Sequence, residues 1–186
     1  FFEDKIPANA KEHLPNWASV WLESPNSRVQ VKENPFQYSP HVFLQNYPEQ
    51  AQKLYEDVVG LIQENSSVLD LYCGVGLLTK LVSKKAKAVT GIESNPEAIR
   101  MAQEMKLPNA TFIASTVEKA ALHGHFDTII VNPPRQGLSH EVIEKLLKKH
   151  PKELIYISCD PQTLRRDLAH FQTAGFHIAH AKAYDM

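Results

Sequence analysis

The 186-residue sequence has no apolar run near the roughly 20 residues that a membrane-spanning helix needs, which excludes an embedded protein. It has only two cysteines, Cys73 and Cys159, without an evident partner pattern, so neither a disulfide framework nor a cysteine-ligated cluster can be built from this stretch. No charged-then-apolar leader opens the chain, and with so few cysteines the expected setting is a reducing cytoplasm in which thiols stay available. Charge of one sign is also missing. Lys and Arg number 20 against 21 Asp and Glu, a net charge of −1, whereas an isolated nucleic-acid-binding domain is usually strongly basic. There is no internal repeat or low-complexity tract. The chain opens on Phe1 and stops on Met186 within HIAHAKAYDM, which reads as a strand, so a piece of a longer protein is expected.

What is present fits one core: 43% hydrophobic and 22% charged residues, as in ordinary soluble domains. From about residue 66, short β-branched runs alternate with helical periods, the pattern of a doubly wound, mostly parallel α/β sheet. The expected strands are 67 to 72, 88 to 93, 110 to 115, 126 to 132, 153 to 158 and 177 to 183, five of the six buried. Helix starts are written locally. Asn95-Pro96-Glu97, Ser139 and Asp160-Pro161 each place a capping oxygen before an apolar stripe. Residues 1 to 46 differ, being rich in Pro, Asn and Ser. Two alternating stretches, SVWLE and RVQVKE, flank a turn-forming SerProAsnSer and predict a β-hairpin appendage. Asn46, Pro48 and Glu49 then open a helix toward Ile62, so the second domain spans 47 to 186.

Between the first strand and its helix lies DLYCGVGLLTKL, in which Gly74 and Gly76 let the backbone pass close to a ligand. Glu93 ends the next strand about 20 residues later, where a carboxylate can accept both ribose hydroxyls of an adenosyl group. A dinucleotide or S-adenosylmethionine would suit this arrangement. A dinucleotide wants a third glycine near position 79 to admit its pyrophosphate, and Thr79 stands there, which favours S-adenosylmethionine. The bland alternative is a tight turn with a surface glutamate.

Two further stretches meet the same sheet edge. NPPRQG, residues 132 to 137, ends the fourth strand, and its two prolines stiffen a shelf fit for a substrate base or simply close a turn. Cys159 sits where ELIYIS gives way to the helix that Asp160 opens. It is either a buried structural cysteine or a nucleophile, favoured as thiolate by the helix dipole and by Arg135 and disfavoured by Asp160. Cys73, inside the glycine loop, reads as packing.

NPPRQG, then sixteen residues, then LIYISCDPQT resembles the double signature of the RNA uracil-5-methyltransferases, which make 5-methyluridine in tRNA or large-subunit rRNA. FLQN at 43 to 46 and DLYCGVG at 70 to 76 resemble two further motifs of that family. The resemblance implies a Rossmann-like class I S-adenosylmethionine-dependent methyltransferase fold. It also implies cofactor contacts at Gln45, Tyr72, Glu93 and Asn132, beside the loop glycines Gly74 and Gly76, and Cys159 as the nucleophile. Many members carry Asn at the place of Leu77, Asp at that of Asn132 and Asn at that of Asp160. By the same resemblance the general base is a glutamate beyond Met186. A small RNA-binding barrel and, in some members, an iron–sulfur cluster would lie before Phe1.

The implied chemistry needs a thiol. Carbon 5 of uracil is a poor nucleophile until a thiolate adds to carbon 6, which makes the ring an enolate able to take a methyl group. The expected partner is therefore RNA, rRNA or tRNA, with no DNA and no membrane. Arg165 and Arg166 are the expected phosphate contacts, whereas the lysines at 84, 85, 87, 148, 149 and 152 read as solvated helix ends. Cytosine-5 enzymes resemble a pattern with a second cysteine after the shelf proline, where this chain has Pro134 and Arg135. An RNA N-methyltransferase using Asn-Pro-Pro stays open, as does a module that binds RNA or cofactor without turnover.

Overall fold

The computed structural model describes residues 20–24, 27–32 and 48–184. The chain divides into two compact units, Phe1–Pro48 and Glu49–Met186. In the first, strand β1 (Val20–Ser24) pairs antiparallel with β2 (Ser27–Lys32) through Trp21↔Gln30, Leu22↔Val29 and Glu23↔Arg28.

In the second unit the elements alternate as α1 (Pro48–Leu61), β3 (Ser67–Leu71), α2 (Leu77–Val82), β4 (Ala88–Glu93), α3 (Pro96–Glu104) and β5 (Ala110–Ala114). They continue through β6 (Thr128–Val131), α4 (His140–Leu147), β7 (Glu153–Tyr156) and α5 (Pro161–Thr173). The five strands form one sheet in the order β5-β4-β3-β6-β7, every pair parallel. Strand β3 is central because the chain winds outward through β4 and β5, then crosses back to lay β6 on its other side. Parallel strands need such crossovers, and the helices that supply them cover both faces.

Alternation along the strands divides the core. Leu69, Leu71, Ile92, Ile129 and Val131 pack with Val142, Ile143 and Leu146 of α4 and Phe171 of α5. Val68, Val89 and Ile130 pack with Leu54 and Val58 of α1, Ile62 just beyond it, and Leu78 and Val82 of α2. The caps form as the local signals predict: Asn95 accepts from Glu97 and Ala98, Ser139 from Val142, and Asp160 from Gln162 and Thr163.

Three expectations change. The strands at 67 to 72, 110 to 115, 126 to 132 and 153 to 158 are each shorter than predicted, the first because Tyr72 turns into the left-handed region at φ 61°. Burial of five strands does not hold either, since edge strands have a neighbour on one side only: β5 leaves Thr111 and Ala114 exposed and β7 is half-buried throughout. Residues 177 to 183 form no strand. Alternation supplies faces but not ladder partners, and this run is instead tied by side chains to α1, where Lys182 and the Tyr184 hydroxyl both meet the Asp57 carboxylate.

Candidate active site at the carboxyl edge of the sheet

The β3/β6 border is the point at which the winding reverses, and in open α/β sheets the carboxyl ends of the strands beside such a point are where ligands bind. Six of the seven predicted site residues lie at this edge. Tyr72, Gly74 and Gly76 follow β3, Glu93 ends β4, Asn132 follows β6 and Cys159 lies three residues past β7. The seventh, Gln45, lies outside the described residues.

The glycine loop is tightly wound, with Tyr72 at φ 61°, Gly74 at 55° and Gly76 at 78°. Gly74 and Gly76 adopt these angles freely. Tyr72 is strained by about 1 kcal/mol or more and is held there by its surroundings, including the Cys73 amide donating to Ile92 O at 3.1 Å. Glu93 braces the loop from the neighbouring strand. Its Oε2 accepts the Gly74 N–H at 3.2 Å, and its Oε1 accepts the Asn95 N–H at 2.8 Å and the Ser94 hydroxyl at 3.0 Å. A Cβ built on Gly74 meets nothing within 4 Å, so the space beside this backbone is open. Gly76 and Gly91 are different, since a Cβ on either would come within 2.8 Å of the Phe112 ring, which lies across both.

Beneath the loop is a buried carboxyl that the sequence reading passed over. Asp70 is 1% exposed and takes the Thr79 hydroxyl at 2.5 Å. Burial, with a smaller push from Glu93, raises its pKa to about 7. The signal was legible: an aspartate inside the otherwise apolar SVLDL. Burial also pushes the Cys73 thiol up, aided by Asp70 and Glu93, so Cys73 stays protonated and packs against Gly91.

On the β6 side of the border, the Asn132 amide donates to Leu71 O at 3.3 Å, which joins the shelf to the end of β3. Pro133 is buried, Pro134 is exposed, and the Gly137 N–H closes a turn onto Pro134 O at 2.8 Å. Cys159 is exposed, and among the described residues none hydrogen-bonds to its thiol. Its neighbours are locked: Ser158 Oγ accepts the Asp160 N–H at 3.1 Å and donates to Asp160 O at 2.9 Å. Asp160 Oδ1 accepts the Gln162 and Thr163 amides at 2.8 and 3.0 Å, and these bonds, with Arg135 nearby, hold its carboxyl below the usual range. The Thr163 hydroxyl donates to Arg135 O at 3.0 Å, joining α5 to the shelf. The Arg135 side chain is exposed and acts on Asp160.

Arg166 is not a free phosphate contact. Its guanidinium donates to Asp167 and to the carbonyls of Gln136 and Leu138, whereas Arg165 is exposed. Several of the lysines are similarly engaged. Lys85 donates to Val59 O and Gly60 O, Lys149 to Gly124 O, and Lys152 pairs with Asp127. No helix among the described residues is long and apolar enough to cross a membrane.

Residues 33–155 match the family profile of the methyltransferase small domain. An uncharacterized RNA methyltransferase of Protochlamydia amoebophila is 40% identical over 176 residues, which cover 89% of this chain and 41% of that protein. One from Clostridium acetobutylicum is 37% identical over 159 residues, covering 81% and 35%. Among solved structures, the Pyrococcus abyssi tRNA (uracil-54, C5)-methyltransferase in complex with S-adenosyl-L-homocysteine is 30% identical, with a TM-score of 0.64. It covers 82% of this chain, which spans 37% of that one. The chain thus spans about two fifths or less of these relatives' length.

Proposed function

The chain belongs to the methyltransferase small domain family, with a class I S-adenosylmethionine-dependent methyltransferase fold, and from that premise we propose that it methylates carbon 5 of a uridine in RNA through a covalent adduct on Cys159. The observation that carries this reading is the placement of Cys159: an exposed thiol at the carboxyl edge of the sheet, on a turn locked by Ser158 and Asp160 and tied through Thr163 to the Asn-Pro-Pro shelf. The working setting is a reducing one, where that thiol stays free.

The residues divide the work by side of the β3/β6 border. The open space beside Gly74 and the Glu93 carboxylate suit an adenosine. Three of the roughly four acceptor positions of Glu93 are in use, and the Ser94 hydroxyl can rotate away to release one, so two ribose hydroxyls can be accepted. Tyr72 and Asn132 follow the neighbouring strands β3 and β6 at this edge, and with Gln45 they are cofactor contacts by the motif resemblance. S-adenosylmethionine, when bound there, supplies an electrophilic methyl group. On the shelf side, the Cys159 thiolate adds to carbon 6 of uracil and pushes the ring electrons toward carbon 4 oxygen. The resulting enolate is nucleophilic at carbon 5 and would accept the methyl group, with S-adenosylhomocysteine as the leaving group; a base then removes the carbon 5 proton, and the bond between carbon 6 and the Cys159 sulfur breaks to return the thiolate. Asp160 is poorly suited to be that base, because the Thr163 and Gln162 amides held by its Oδ1 lower its affinity for a proton. The family resemblance assigns that step to a glutamate of the full-length protein.

RNA containing 5-fluorouridine tests the assignment, since fluorine replaces the proton that must leave and stalls the cycle at the thioether. The full-length protein should show the mass of an RNA adduct mapped to Cys159, and Cys159→Ala should show none. Methylation surviving in Cys159→Ala would replace this reading with an N-methyltransferase acting at Asn132-Pro133-Pro134.

A further inference from the structure

Asp167, in the middle of α5, has no exposed surface although Arg165 and Arg166 beside it are exposed. Four donor contacts converge on its carboxylate, from β7, from α5 itself and from the segment before α4. Oδ2 accepts the Leu138 N–H at 2.7 Å and the Tyr156 hydroxyl at 2.7 Å, and Oδ1 accepts Arg166 Nε at 2.8 Å and pairs with the same guanidinium at 2.7 Å. Arg166 reaches onward to Gln136 O at 2.8 Å and Leu138 O at 3.2 Å, so carboxylate and guanidinium together grip the segment after the shelf. A buried charge without such partners would be strongly destabilising, and every partner here is a donor. Burial and the bond to Asp167 push the Tyr156 phenol up, which keeps it a donor at neutral pH.

The grip leaves no slack. Gly137 adopts φ 74°, and a Cβ there would stand 2.5 Å from Asp167 Oδ2 and 2.7 Å from the Arg166 guanidinium. The same helix begins immediately after Cys159, and its Thr163 holds Arg135 O. The carboxylate therefore connects the end of β7, the segment after the shelf and the helix whose start carries the thiol.

We propose that Asp167 is a positioning residue, which fixes the Arg135–Leu138 end of the shelf against α5 and so sets the separation between a base on the shelf and the Cys159 sulfur. This rests on the reading of Cys159 as nucleophile. It assigns Asp167 no contact with substrate or cofactor. Its effect falls on adduct formation more than on adenosine binding, because Glu93 and Gly74 brace each other across β4 and β3, Asn132 is held by Leu71 O, and the grip of Asp167 and Arg166 is on Gln136 to Leu138.

The test uses the full-length protein with Asp167→Asn, which turns a double acceptor into one acceptor and one donor facing donors, and with Tyr156→Phe, which removes a single bond and keeps the charge pair. Three quantities are read: amide hydrogen exchange at Leu138 and Thr163, affinity for S-adenosylhomocysteine, and the rate of Cys159 adduct formation at saturating 5-fluorouridine RNA. In Asp167→Asn the two amides should exchange faster together. Cofactor affinity should hold, and the adduct rate should fall by up to roughly a hundredfold, the cost of about an ångström of misplacement. Tyr156→Phe should move the same quantities less. Unchanged protection of Leu138 and Thr163 in both variants overturns the proposal, as does a loss of cofactor affinity by the same factor as the rate. If the unmodified protein forms no adduct at all, the nucleophile assignment fails, and the exchange at Leu138 and Thr163 alone then decides whether Asp167 couples shelf to helix.

Discussion

Single residues at this edge are set by surroundings that their neighbours in sequence do not reveal. Cys73 and Cys159 are each one residue past an apolar run or its turn. One is half-buried near Asp70 and Glu93 and stays protonated, while the other is exposed beside a helix start. Asp70 shows the consequence for stability. Its carboxyl is raised to about 7 in the folded protein against about 4 in an unfolded chain, so between those values the folded state holds a proton that the unfolded state releases. Stability should therefore decline as pH rises from about 4 to about 7 through this group, and Asp70→Asn, which keeps an acceptor for Thr79, should remove that decline. Urea midpoints measured across the range check this, and equal slopes in the two proteins would count against it. Asp167 was legible in principle. Leu164, Leu168 and Phe171 lie on one helical face, and position 167 belongs to that face. Only the structure shows that donors from Leu138, Tyr156 and Arg166 meet it there.

Elements began where local chemistry said they would and ended where tertiary contacts allowed. Helix starts were legible because a cap, a proline with pre-set φ and an acidic first turn act within four residues. In α3, Asn95 Oδ1 accepts the Glu97 and Ala98 amides at 2.9 and 3.4 Å, with Pro96 at the first position. Asn95→Ala should cost about 1 kcal/mol, read as a lower denaturant midpoint at unchanged slope. An undisturbed midpoint would mean that packing of Ala98, Ile99 and Ala102 alone holds the helix start. Strand ends were less legible. SVLDLY continues apolar through Tyr72, yet the ladder stops at Leu71 because the next residue must turn into the glycine loop. HIAHAKA alternates as a strand should and still joins no ladder among the described residues.

For the whole second unit, the amino edge of the sheet carries stability as the carboxyl edge carries the candidate chemistry. Asp127 joins three strands there: its carboxylate accepts the Ser67 N–H at 2.9 Å and pairs with Lys152 at 2.8 Å, and its carbonyl accepts the Lys152 and Glu153 amides. The Lys152 bond first, then that from Ser67, lowers its pKa to about 2. A depressed carboxyl contributes stability that is present above its unfolded value near 4 and is lost as pH falls toward 2. Asp127→Asn should accordingly flatten the acid limb of the stability profile between those values, and an acid limb as steep as that of the unmodified protein would assign acid unfolding to other carboxyls. By itself the sequence determined the class of fold, the helix starts and the chemistry available at each strand end, because periodicity, caps and residue type are local properties. The order β5-β4-β3-β6-β7, the bracing of Gly74 by Glu93 and the convergence of Asp167 on the shelf were decided only by the tertiary structure. Each of these joins residues about 20 or more positions apart, and such pairings depend on which strands become neighbours once the crossovers close over a common core.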